Sequence, residues 1–69
     1  METNMQLVSK NTFKRGNKKI IELKLREDYS EYTITHVPAE DYYGGVIKKG
    51  QNYENLHPAL ARVYFADFA

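Results

Sequence analysis

Side chains that can attack a substrate or hold a metal ion are scarce in this sequence. Its 69 residues include two histidines, His36 and His57, and no cysteine. A nucleophile needs a neighbouring base that activates it, and a zinc site prefers closely spaced ligand pairs. Here a metal site would need both histidines and a carboxylate such as Glu40 to converge from separate segments. The sequence therefore predicts a protein that is not an enzyme and that has no metal ion and no cofactor.

Adjacent carboxylates occur twice, as Glu27-Asp28 and as Glu40-Asp41. General acid–base catalysis requires a cleft that shifts the pKa values of such groups, and a chain of this length rarely has room for one. We expect both pairs to be solvated turn residues.

Basic residues are concentrated in one stretch of a chain whose formal net charge is +1. Five of the ten basic residues lie there, with no acid among them: Lys10, Lys14, Arg15, Lys18 and Lys19. A hairpin turn of this kind could lie against a phosphate backbone, and Lys48 and Lys49 could extend the contact. Exposed tyrosines could stack on unpaired bases. Nucleic-acid binding through the basic turn is therefore the alternative function, although nine acids and a near-neutral charge weigh against it.

Tyrosine is the other unusual feature, with six copies in 69 residues and no tryptophan. A tyrosine has an apolar body and a polar tip, which suits a surface that becomes buried against a partner. A patch of this type is predicted in the loop-rich middle of the chain, from Tyr42, Tyr43, Tyr53, Glu40 and Asp41. The other interpretation of these tyrosines is local packing under the loop. The leading hypothesis is a non-enzymatic interaction protein that docks a charged, tyrosine-bearing surface on a protein partner.

In size and composition the chain resembles small accessory or inhibitor proteins of phages and mobile elements. That resemblance implies a role in which docking blocks a site on the partner.

The elements that must position these residues begin with one hairpin. Apolar residues alternate with charged ones from Ile21 to Arg26, and with threonines from Tyr32 to Thr35. Successive side chains of a strand point to opposite faces, so each strand has an apolar and a polar face. A short turn then places Leu25 opposite Tyr32 and Leu23 opposite Ile34. A slip by one residue would send one apolar set to solvent.

The rest of the chain must cover the apolar face of that hairpin. Strands are predicted at about 5–13, 18–26 and 31–37, with a possible strand at 45–49, a polar loop at 50–55 and a helix at 58–68. In the first strand Phe13 can pair with Ile20 only if Lys10 faces Leu23, which a bulge near the turn would repair. The helix would bury one stripe: Leu56, Leu60, Val63, Tyr64 and Phe68. The predicted fold is α+β, a three-stranded antiparallel meander (four-stranded if 45–49 pairs) packed by one C-terminal helix.

Residues 1–4 are predicted to be a flexible tail and residues 5–69 a single domain. A three-stranded sheet followed by a helix resembles the small domains with which some integrases and plant transcription factors read DNA. The fragment Ala59–Tyr64 is similar to their alanine-rich helices. Those domains carry a sheet face rich in Trp and Arg, whereas this chain has no Trp and only Arg26 in its predicted sheet. The resemblance therefore concerns the fold alone.

Membrane association is not expected, because no segment approaches the roughly 20 apolar residues that span a bilayer. The polar first residues lack the apolar core of a secretory signal, so the expected location is the cytoplasm. A homodimer is an open alternative, since an unpaired strand edge could pair with its own copy.

Overall fold

The computed structural model describes residues 4–69, which form one antiparallel sheet and one helix on one side of it. The five strands lie in chain order: β1 (Gln6–Arg15), β2 (Lys18–Glu27), β3 (Ser30–Val37), β4 (Tyr42–Lys49) and β5 (Asn52–Leu56). A 3₁₀ turn at Pro38–Glu40 joins β3 to β4, and the helix α1 (Pro58–Phe68) ends the chain. The α+β class is confirmed, but the prediction of three or four strands is wrong. Of the predicted tail, only Asn4 lies within the described residues.

The pairing of β2 with β3 has the predicted register. Leu23 lies opposite Ile34 and Leu25 lies opposite Tyr32. These four side chains are buried and form the centre of the core, together with Leu56, Ala61 and Phe65. Both strands continue one residue further than predicted, so that only Asp28 and Tyr29 remain in the turn. Asp28 adopts a left-handed conformation with φ of 52°, which a loop of two residues requires.

The pairing of β1 with β2 contains a bulge, but at the end far from the turn. Phe13 faces Ile20 and Lys10 faces Leu23, as counting from the turn predicts. The register then shifts between Leu7 and Ser9. The extra residue at the bulge reverses the alternation of side-chain faces beyond it. Leu7 therefore pairs with Leu25, although Lys10, three residues further along, pairs with Leu23.

Strand β5 occupies part of the segment that was predicted to be a polar loop. It pairs with β4 after a turn at Gly50, whose φ of 62° only glycine adopts without strain. Every residue of β5 except Leu56 is exposed. An edge strand with one buried side chain has no apolar alternation, which is why the sequence pattern does not indicate it. β4 also begins earlier than predicted, at Tyr42.

Helix α1 spans the predicted range, and part of the predicted stripe is right, since Leu56 is buried and Tyr64 and Phe68 pack against the core. It begins with a cap in which the backbone N–H of Ala59 donates to Nδ1 of His57 at 3.0 Å. Ala61 and Phe65 are its buried residues, whereas Leu60 and Val63, which were predicted to be buried, are about half exposed. The small side chain of Ala61 lets the helix approach β3 and β4, against which it mainly packs. No helix of the described residues is long and apolar enough to cross a membrane.

Tyr32 combines a buried ring with a hydrogen bond at the edge of the core. Its hydroxyl donates to Oε1 of Glu27 at 3.0 Å, and its ring meets that of Tyr64 edge-on at 5.6 Å. Burial, followed by the hydrogen bond to Glu27 and the charge of that carboxylate, raises the pKa of Tyr32 from 10.0 to about 12. The folded state therefore favours the protonated hydroxyl of Tyr32 over the ionised form.

We predict that the fold loses stability in strong alkali through this residue. The folded-state pKa is the higher one, so the contribution is complete below pH 10 and disappears as the pH rises toward 12. The expected loss is about 2 kcal/mol in the free energy of unfolding. Urea unfolding of the natural chain and of Tyr32→Phe at several pH values between 8 and 12 measures it. Parallel pH profiles of the two proteins would contradict the prediction.

Candidate interaction surface on the open face of the sheet

The side of the sheet that faces away from α1 is referred to below as the open face. Side chains directly opposite one another on paired strands share a face, so the registers define its members. Its larger side chains are Val8, Phe13, Arg15, Lys18, Ile20, Glu22, Lys24, Arg26, Glu31, Thr33, Val37, Tyr42, Val46, Lys48 and Tyr53. Within residues 4–69, no helix lies over this face, since α1 packs on the other one.

A groove of about 250 Å³ crosses the open face from β1 to β5. Val8 and Val46 provide apolar walls, and Thr33 of the central strand lies between them. Tyr53 bounds the groove on β5, with 67% of its surface exposed. The Nζ atom of Lys48 lies 5.8 Å from the centre of the Tyr53 ring, within the range of a cation–π contact. The groove therefore combines exposed apolar surface, an aromatic face and positive charge.

The bulge in β1 is what brings Val8 to this groove. It is the extra residue at the register shift between Leu7 and Ser9, and 54% of its surface is exposed. Lys24 and Lys48 line the same groove and form no ion pair within residues 4–69. One carboxylate lines the groove as well: Glu31, which lies directly opposite Lys48. Its ion pair is with Arg26, at 3.8 Å, so the two lysines and Glu31 share the groove without an ion pair between them.

The opposite end of the open face is partly covered by the 3₁₀ turn. Val37 is buried there and Ile20 is half-buried, whereas Phe13 remains 38% exposed. Lys18 forms an ion pair with Glu40 of the 3₁₀ turn. A second, more open depression of about 550 Å³ lies at this pair, between the β1–β2 turn and Val37. The 3₁₀ turn therefore caps one side of the apolar surface at this end of the open face.

The three tyrosines of the predicted contact patch do not lie together. Tyr42 and Tyr53 are both on the open face, but Tyr42 begins β4 and Tyr53 pairs with Lys48 near its end. Because Tyr42 and Lys48 are six residues apart on an extended strand, Tyr42 lies roughly 20 Å from Tyr53 along the strand direction. Tyr43 lies on the other face, stacked on the ring of His36 at 4.1 Å between centres. Tyr43 is therefore packed locally, whereas Tyr53 is exposed on the open face.

The two acids of the predicted patch have local partners near the β1–β2 turn. Glu40 pairs with Lys18, as described above. Asp41 ends the 3₁₀ turn in a left-handed conformation, and its backbone N–H donates to the carbonyl of Pro38 at 3.1 Å. Both side chains are exposed. They add negative charge beside the basic turn rather than beside Tyr53.

The predicted basic surface is also divided. Arg15 and Lys18 are on the open face, whereas three lysines project from the helix side of β1 and β2: Lys10, Lys14 and Lys19. Lys48 and Lys49 lie at the other end of β4 and on opposite faces, and Lys49 pairs with Glu54 at 3.7 Å. The structure thus keeps the cluster at residues 10–19 near one hairpin and separates Lys48 and Lys49 from it.

Both histidines occupy structural positions in the described residues. The ring of His36 stacks on Tyr43, lies 4.7 Å from the ring of Phe65, and has Nδ1 3.0 Å from the carbonyl oxygen of Tyr42. His57 caps α1. In the part of the chain that the structure describes, no three His, Asp or Glu side chains are grouped as metal ligands.

Of the groove residues, Tyr53 and Lys48 were among the sequence-based candidates, whereas Val8, Lys24, Thr33 and Val46 were not. The alternation of β2 and β3 already places Lys24 and Thr33 together on the polar face. Val8 carries no such signal, because its position depends on a bulge. Comparison with models of protein families, with curated proteins and with solved structures found no match.

The two adjacent glycines of β4 have different neighbours, so an alanine at each position tests how closely the two faces of β4 are packed. A methyl group on Gly45 would lie 2.9 Å from the backbone oxygen of Thr33 and 3.1 Å from side-chain atoms of Ile34 and Leu56. The three atoms nearest to a methyl group on Gly44 would all belong to the side chain of Tyr42. The ring of Tyr42 is half exposed and can swing outward, whereas the backbone of β3 cannot move without disturbing the sheet.

We predict that Gly45→Ala lowers the free energy of unfolding by about 1–3 kcal/mol through overpacking. Gly44→Ala, its matched control, should change it by less than about 1 kcal/mol, because removal of a strand glycine offsets the displacement of Tyr42. Urea unfolding of both variants measures the difference. Equal losses would show that the two glycines are equally confined and would contradict the packing described here.

Proposed function

We propose that this chain is a non-enzymatic interaction protein that docks the open face of its sheet on a protein partner. The observation that carries the proposal is the groove across all five strands, where exposed apolar and aromatic side chains lie beside two lysines that form no ion pair and one glutamate, Glu31, that pairs with Arg26. Val8, Val46 and Tyr53 would form the centre of the contact.

The chemistry of the groove suits a protein partner with apolar side chains and carboxylates. The centres of protein interfaces are enriched in aromatic and apolar residues, and charges lie at their rims. Val46 and Tyr53 have the central type, whereas Lys24 and Lys48 flank them as the rim does. Complementary charge steers encounter and register, and adds less to affinity than the apolar centre does. A partner carboxylate opposite Lys24 or Lys48 would therefore orient the complex.

Nucleic-acid binding has less support from the geometry. The basic turn has Glu40 and Asp41 beside it, and Lys48 and Lys49 are remote from it. Glu22 and Glu31 also lie on the open face. A strand of phosphates crossing that face would meet these carboxylates, whereas dedicated binders present a clear positive excess. An accessory or inhibitory role for a phage or mobile element stays part of the proposal on size and composition alone.

A photo-crosslinking experiment tests which surface makes the contact. Tyr53 is replaced by the aromatic photo-crosslinker benzoylphenylalanine, and the protein is irradiated in lysate of the cells that make it. We expect a discrete protein adduct that survives nuclease treatment. The matched control carries the same group at Leu60, which is exposed on the outer side of α1. Adducts that are the same at both positions, or that disappear with nuclease, would contradict the proposal.

Titration of the captured partner then measures the contribution of the groove. Tyr53→Ala and Val46→Asp should each weaken binding about tenfold or more, since central positions of an interface dominate its energy. Val63→Ala, on the outer side of α1, should leave the dissociation constant unchanged within about twofold. An unchanged constant in both groove variants would place the contact elsewhere on the molecule.

A further inference from the structure

Strand β1 is a long edge of the sheet whose second side has no partner among the described residues. It contains ten residues and pairs only with β2. All of them except Ser9 are exposed, and none is a proline. An unpaired edge offers a row of backbone N–H and carbonyl groups to another extended chain. The other edge, β5, is half as long and carries Glu54, which already pairs with Lys49.

Like charges lie opposite one another where β1 pairs with β2, and this lowers the local stability of the pair. Lys14 lies directly opposite Lys19, and the next pair along the hairpin is Arg15 opposite Lys18. Like charges at facing positions of two strands destabilise the pair. Glu40 compensates Lys18, but Lys14 and Lys19 have no carboxylate partner within residues 4–69. A local conflict of this kind is expected where a sequence serves binding as well as folding.

The spacing of the lysines on β1 matches an added strand. Lys10 and Lys14 project from the same face, four residues apart, which is roughly 13 Å along an extended chain. Phe13 lies on the opposite face and is partly exposed. A strand added beside β1 would place its own alternating side chains next to these residues. Carboxylates would lie beside Lys10 and Lys14, and an apolar side chain beside Phe13.

We propose that β1 accepts an extended acidic segment of a protein partner as a sixth strand of the sheet. Backbone hydrogen bonds to the free edge would hold the segment, and its carboxylates would neutralise Lys10, Lys14 and the adjoining Lys19. Strand addition of this type takes its affinity from the main chain and its selectivity from alternate side chains. The inference goes beyond the open-face contact, because it concerns the edge of the sheet and a different part of a partner.

A second copy of this chain suits the edge less well. β1 contains three basic residues and no acid. Its lysines would therefore meet no carboxylate on a paired β1 strand, and charged edge residues are a common device against such self-association. Charge complementarity thus favours an acidic strand from another protein.

The test uses a short fluorescent peptide built around Glu-Val-Thr-Val-Glu, with blocked ends. The sequence reads the same in both directions, so it can place carboxylates beside Lys10 and Lys14 in either orientation. Two further peptides carry N-methyl groups on alternate residues, one at its odd-numbered positions and the other at its even-numbered positions. In an extended chain neighbouring N–H groups point to opposite sides, so only one of the two sets would face β1. Binding is followed by fluorescence anisotropy at physiological salt.

We expect the parent peptide to bind, and one methylated peptide to bind with an affinity within about twofold of it. The affinity of the other methylated peptide should fall about tenfold or more, because several hydrogen bonds to β1 are lost. Lys10→Glu/Lys14→Glu should weaken binding by about fivefold or more, whereas Lys49→Glu/Arg62→Glu, on β4 and the exposed side of α1 and with the same change in net charge, should not. Absence of binding, equal binding of both methylated peptides, or equal effects of the two double variants would overturn the proposal.

Two further outcomes would assign the edge to another occupant. A mixed-sequence oligonucleotide that displaces the peptide and binds more tightly would identify a nucleic acid instead. A dimer in sedimentation analysis that peptide dissociates would identify a second copy. Both would overturn the proposal, and neither concerns the groove around Tyr53, so the open-face contact is tested separately.

Discussion

The fixed pairing of β2 with β3 is the constraint on which the rest of the structure depends. Leu23 and Leu25 of one strand lie opposite Ile34 and Tyr32 of the other, and all four are buried. Because side chains alternate with a period of two, this register decides the face of every neighbouring residue. It assigns one side of the sheet to α1 and leaves Lys24 and the threonines of β3 on the other. The open face is therefore a consequence of the core.

The parts of the fold that depend on apolar periodicity could be predicted from the sequence. The β2–β3 hairpin and the range of α1 both carry such signals. The bulge in β1 and the strand β5 do not, because each is a feature of an exposed edge. The side that α1 buries was predicted only in part, since Tyr64 and Phe68 pack against the core but Leu60 and Val63 are exposed. Large apolar residues were expected inside, but the distance between helix and sheet is set by Ala61, whose small side chain brings Phe65 rather than Leu60 into the core.

The candidate site was only partly predictable for a related reason. Tyr42 and Tyr43 were expected in one patch because the middle of the chain, which includes Gly44 and Gly45, was predicted to be rich in loops. In the structure these glycines lie within β4. Gly44 permits the close approach of Tyr42, and Gly45 permits the close approach of Thr33, Ile34 and Leu56. Neighbouring residues of a strand point to opposite sides, so the two tyrosines are separated by the pleat itself. Correct strand bounds would have shown this without any coordinates.

A helix of eleven residues on a sheet of five strands leaves much apolar surface uncovered. A chain of this size buries only about 60% of the surface that its unfolded form exposes, so its margin of stability is small. Val8, Val46 and Tyr53 contribute little to that margin while they face water. Once a partner covers them, each buried square ångström adds roughly 25 cal/mol to a complex that only the folded chain can form. Binding at the open face would therefore stabilise the sheet by mass action, which links the incomplete core to the proposed function.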